Sequence, residues 1–127
     1  MKRFIVFLIT LCVCLTVSSQ ARLGSTLKEL KTEFSAYDTK YIIIEGIPSL
    51  SVIYMNVEVL YYFDKKGVCY QTSIVADNFT LVNNIINIYN KQYIIKSRVS
   101  WIMIDSFRTV HIHLYHLAGV GYVFIWK

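Results

Sequence analysis

Disulfide chemistry has almost nothing to work with in this chain. Only three cysteines, Cys12, Cys14 and Cys69, occur in 127 residues, beside one proline and five glycines. No cysteine pair has zinc-ribbon spacing, and there is neither a glycine-rich phosphate loop nor a dinucleotide fingerprint. Charge is sparse too. Thirteen basic residues face eight acidic ones, a net charge of +5. Lys2 and Arg3 apart, the longest basic cluster is Lys65-Lys66, which reads as a turn, so nucleic acid is not an expected partner. The eight acids stand singly, which leaves no carboxylate pair for hydrolysis. Disorder is excluded as well, because 55% of the residues are hydrophobic and Ile, Tyr, Val and Phe dominate, a β-rich globular composition.

What is present begins with an export leader. Lys2 and Arg3 make a positive n-region, Phe4–Val17 is uncharged and apolar, and Ser19 and Ala21 take the −3 and −1 places of a cleavage site. That run is shorter than the ~20 residues of a spanning helix, so residues 1–21 are expected to be a removable signal peptide, with no stable membrane insertion afterwards. Cys12 and Cys14 follow Leu11 and Val13, which rules out a lipoprotein acceptor site and makes both ordinary leader residues. The expected location is outside the cytoplasm: periplasmic, cell-envelope or secreted. Cleavage leaves Cys69 as the sole thiol of residues 22–127, one small domain that must be held by its core rather than by disulfides. That usage suits a bacterial envelope better than the disulfide-dense secreted scaffolds of animals.

Hydrophobic spacing places two helices. Leu27, Leu30 and Phe34 give one apolar stripe over about Thr26 to Ala36, and Thr26-Leu27-Lys28-Glu29 matches a capping box. Leu81, Val82, Ile85, Ile86, Ile88, Tyr89 and Tyr93 form a broad face over Phe79 to Gln92, with Asp77 or Asn78 as cap. The rest reads as strands: Tyr41 to Ile47, Val52 to Phe63, Val68 to Val75, Ile94 to Ile104, Val110 to Leu117 and Val120 to Trp126. In the second of these, Ile53, Met55, Val57, Val59, Tyr61 and Phe63 share a face opposite Asn56 and Glu58. In the third, Val68, Tyr70, Thr72 and Ile74 oppose Cys69, Gln71 and Ser73. The expected fold is therefore α+β, a twisted antiparallel sheet of five to six strands with two helices packed on one face.

An internal repeat runs through this order. Tyr37, Tyr41, Ile42 and Ile43 lie over Tyr89, Tyr93, Ile94 and Ile95, and Gly67, Val68 and Tyr70 lie over Gly119, Val120 and Tyr122. The pattern implies two tandem αβββ units, 26–76 and 78–127. The same shift sets His111 and His113 over core-facing Val59 and Tyr61, whereas local alternation turns Val110, Ile112 and Leu114 inward, a conflict that a bulge or one-residue insertion would resolve. Arg22-Leu23-Gly24-Ser25-Thr26 followed by Lys28-Glu29-Leu30 resembles the opening of small envelope α/β modules, the outer-membrane assembly lipoproteins and the β-lactamase inhibitor proteins. The resemblance implies a helix leading into an antiparallel sheet, twice over. It departs from those modules in having no lipobox and no glycine at Asp77-Asn78-Phe79-Thr80, and it transfers no binding residue.

Few side chains suggest chemistry. His111 and His113 alternate on one strand and could grip a metal, with Asp105 or Cys69 as further ligand, while His116 points the other way. The plainer reading is a solvent-facing row of Thr109, His111, His113 and Tyr115. Cys69 lies in a hairpin strand without the electropositive setting of a nucleophile, and on the more polar side of that strand it would permit a disulfide-linked dimer. Asn78-Phe79-Thr80 is a glycosylation sequon only in a eukaryote, and as a cap Asn78 already has a structural role. Tyr54, Tyr61, Tyr62, Tyr70, Tyr115 and Tyr122, with Trp101 and Trp126, are core or cross-strand residues except where a sheet face is exposed for contact. These readings favour a non-enzymatic exported protein-interaction module without cofactor or catalytic residue, its partner another envelope or extracellular protein. The alternative is a small ligand- or metal-binding domain using the His111/His113 face.

Overall fold

The structure is a computed structural model that describes residues 22–54, 57–104 and 108–127. The leader, Met55, Asn56 and Asp105 lie outside the described residues. Helix α1 (Leu27–Glu33) precedes strands β1 (Asp38–Ile44), β2 (Ile47–Tyr54), β3 (Val57–Phe63) and β4 (Cys69–Ala76). Helix α2 (Phe79–Gln92) precedes β5 (Ile94–Ser97), β6 (Ser100–Ile104), β7 (Thr109–Leu117) and β8 (Gly121–Trp126). All eight strands form one antiparallel sheet in the order β1-β2-β3-β4-β8-β7-β6-β5.

Eight strands replace the expected five to six because two of the apolar runs are each divided into a pair of strands. The first turn, Glu45-Gly46, has positive φ at both residues (51° and 82°), the backbone of a two-residue hairpin whose twist matches its strands. Tyr54 pairs with Val57, and Ser97 with Ser100, so what reads as single strands over Val52–Phe63 and Ile94–Ile104 is two hairpins. Each helix is thus followed by four strands rather than three. Ile53 consequently joins Glu58 on the face opposite Val57, Val59 and Tyr61.

Both helices begin on polar caps. The Glu29 amide donates to Thr26 Oγ1 at 3.2 Å, and that hydroxyl donates to the Glu29 carboxylate at 3.0 Å. The Thr80 and Leu81 amides donate to Asn78 Oδ1. Helix α1 is shorter than its sequence pattern implies and ends at Phe34.

One row of directly opposed residues crosses the whole sheet: Tyr41, Leu50, Tyr61, Thr72, Trp126, Ile112, Trp101 and Ile95. Opposed residues point to the same side. Phe34 of α1 stacks on Tyr61, and Tyr89 of α2 meets Trp126 and Trp101 edge to face at 5.5 and 5.4 Å, so both helices cover this side. Tyr89 is fully buried and also meets Phe124 at 5.3 Å. Its hydroxyl accepts from Trp126 Nε1 at 3.1 Å, and Asn90 Oδ1 accepts from Trp101 Nε1 at 2.8 Å. Helix α2 therefore satisfies both buried indole donors, each of which would otherwise cost about 1–3 kcal/mol.

The repeat conflict resolves in favour of local alternation. Val110 and Ile112 are buried while His111 is exposed. Tyr62 pairs with Gln71 and Phe63 with Cys69, leaving Tyr70 as an extra, bulged residue. The first hairpin thus holds one residue more than the second, where Tyr115 pairs with Val123, and β3 corresponds to β7 one place later than β4 does to β8. The same bulge inverts the faces before it. Cys69, expected on the polar side, is 2% exposed in the core, and Tyr70, expected inward, is 43% exposed.

Two outcomes follow from this packing. Gly121 has φ 112°, and a Cβ there would stand 3.0 Å from the Ala76 carbonyl oxygen and 3.2 Å from the Asp77 Cα, so Gly121→Ala should cost about 2 kcal/mol or more in urea unfolding. Burial raises the Tyr89 phenol and pushes that of Tyr93 up to about 12. The folded state then keeps protons that the unfolded chain releases near pH 10, so stability is intact below pH 10 and falls as pH rises toward 12. Urea midpoints measured between pH 9 and 11.5 should decline over that window, and a flat profile would contradict the burial of both rings.

Candidate interaction face

Among the described residues, no helix lies against the sheet side away from α1 and α2. Its rows are set by the same registers: Ile42, Ser49, Tyr62, Gln71, His111, Ile102 and Ile94 in one, and Lys40, Ser51, Leu60, Ser73, Ile125, His113 and Ser100 in the next. Ser49, Ser51 and Ser73 are 0%, 4% and 3% exposed although no helix among the described residues covers them. Ser51 Oγ donates to Glu58 at 2.8 Å and Ser49 Oγ to the Ile47 carbonyl at 3.2 Å, so these two buried hydroxyls are paired.

Toward β5–β7 this face becomes apolar and exposed. Ile94, Ile104, Tyr115 and Leu117 are 55%, 65%, 44% and 46% exposed, and register places all four on the same side. His111 and His113 lie among them, the His113 ring 4.3 Å from that of Tyr115. The row Thr109, His111, His113, Tyr115 therefore faces solvent. His116 lies on the helix side, its ring 4.7 Å from Tyr122.

Among the described residues no group of three or more His, Cys, Asp or Glu side chains comes together. Of the further ligands considered for His111 and His113, Asp105 lies outside the described residues and Cys69 lies in the core on the other side of the sheet. The Cys69 thiol donates to the Gln71 carbonyl at 3.5 Å and sits 3.8 Å from Thr72 Oγ1. Burial is the main cause that raises its pKa, the opposite of what a nucleophile needs. An exposed thiol, the premise of the disulfide-linked dimer through Cys69, is not met.

Of the aromatic residues considered for contact, Tyr61, Trp101 and Trp126 are core, and Tyr62 and Tyr115 are on the open face. Sequence reasoning missed Ile94, Ile104 and Ile53 as surface residues. The turn at Arg98-Val99 was the signal that could have placed the first two. A shallow groove of about 460 Å³ lies elsewhere, between α1 and Gly67, edged by Lys28 and Lys31. No family model matches the chain, and no curated protein or solved structure is significantly similar to it.

Cys69→Ser replaces a core thiol with a hydroxyl and should cost about 1–3 kcal/mol, more than an exposed site would. The native thiol should resist a disulfide reagent until denaturant unfolds the chain; rapid labelling of the folded protein would contradict its burial.

Proposed function

We propose that this chain is an exported, non-enzymatic interaction module that docks a partner protein on the open sheet face. The observation that carries the reading is the β5–β7 wing, where two exposed apolar pairs, Ile94 with Ile104 and Tyr115 with Leu117, flank His111 and His113 on a face that no element of the described fold covers. Such clusters, with an aromatic anchor and a polar surround, mark association surfaces. Lys127 shares this face, following Ile125, and exchanges backbone hydrogen bonds with His111. Without the leader's Lys2 and Arg3 the exported chain keeps eleven basic against eight acidic residues, a net charge of +3, so the complementary partner carries an apolar centre with carboxylates at its rim. Export rests on the leader, and among the described residues no helix is long and apolar enough to cross a membrane.

The second reading, a metal or small-ligand site, is favoured by one observation: His111 and His113 share the open face of β7. It differs from the first in a simple titration, since zinc at micromolar concentration would shift both histidine resonances.

The docking reading is checked by capture from envelope extract with the wild type and with Tyr115→Glu/Leu117→Glu. Both side chains are exposed, so the variant should keep its thermal midpoint while losing at least ~10-fold in affinity for the captured protein. Binding should also weaken as salt rises. A partner retained equally by the variant would place the interface elsewhere.

A further inference from the structure

The two edges of the sheet are not equivalent. β5 is four residues long, and its register with β6 slips between Ile95 and Ser97, so Lys96 interrupts the edge. Short and bulged edges are how natural sheets avoid pairing with other chains. β1 has neither protection: it runs seven residues in unbroken register with β2, and Tyr41 and Ile43 remain 46% and 65% exposed. Its outer backbone groups have no strand beside them among the described residues.

We propose that β1 pairs with β1 of a second copy of this chain, antiparallel and centred on Ile42. In a two-fold pair that keeps both helix layers on one side, residues of the same face must oppose each other, so the axis passes through a residue. Centring on Lys40 sets two ammonium groups against each other. Centring on Tyr41 sets Lys40 against Ile42 and Asp38 against Ile44, polar against apolar throughout one face. Centring on Ile43 carries Tyr41 off the strand onto the turn residue Glu45. Centring on Ile42 sets Tyr41 against Ile43 twice, the aromatic and β-branched pairing that sheets favour, with Ile42 against itself on the other face. Lys40 then meets Ile44 at the end of the contact, where its chain reaches solvent. The product is one continuous sixteen-stranded sheet, with the open faces of both copies on the same side. This goes beyond the docking reading and does not depend on it.

Sedimentation of the purified protein should show a monomer–dimer equilibrium, and Ile43→Lys should raise the dissociation constant at least tenfold with the thermal midpoint unchanged. Independently, single-cysteine variants test the register. Under mild oxidant Ile42→Cys should form a covalent dimer, because only the residue on the axis meets its own copy, while Lys40→Cys and Ile44→Cys should lag well behind. The proposal is overturned by a monomer at several hundred micromolar, by a dimer indifferent to Ile43→Lys, by equal cross-linking at the three positions, or by open-ended growth, which would mean β1 pairing with β5 of the next copy.

Discussion

The pairing of β4 with β8 is the contact on which the rest of the molecule depends. Each helix with its four strands presents one broad apolar side, and neither has strands enough to make a sheet that closes over its own core. Joining Thr72 to Trp126, Ile74 to Phe124 and Ala76 to Tyr122 merges two four-stranded halves and places the largest side chains of the second half beside the smallest of the first. Gly121 lets the backbones approach at the end of this seam. Helix α2 then locks it from above, because Tyr89 touches Phe124 and Trp126 together and accepts the buried indole hydrogen bond.

The open face is a consequence of that arrangement. With both helices drawn to one side by the aromatic row, nothing in the described fold remains to cover the other, and the sequence meets this with small residues in the middle. Ser49, Ser51 and Ser73 are buried there, and the hydroxyls of Ser49 and Ser51 are paired. At the β5–β7 wing the small residues give way to exposed Ile, Tyr and Leu, and a monomer has no folding reason to keep them there. The functional proposal rests on that change of composition across one surface.

Much of this was legible in the sequence, and the failures have physical causes. Helix α2 was readable residue by residue, because its period-3.6 stripe is wide and Asn78 caps it. The inward set of β7 followed from strict alternation. A turn without a strong signal was missed: Arg98-Val99 sits inside a run of β-forming residues. Gly46 does mark the end of the first strand, but Glu45 beside it takes a positive φ that few sequence rules assign to glutamate. The Tyr70 bulge was invisible because a single extra residue has no composition of its own, yet it moved Cys69 from the polar face into the core. The face itself could not be named from alternation, which says that two sides differ but not which one the helices take.

Native-state amide hydrogen exchange tests the central claim most directly. If the β4–β8 seam makes one cooperative sheet, the amides of β4 and β8 should be the slowest in the molecule, and the cores of both halves should open with the same free energy. Exchange in which one half opens at a clearly lower free energy than the other, or in which β4 and β8 exchange before β3 and β7, would contradict it.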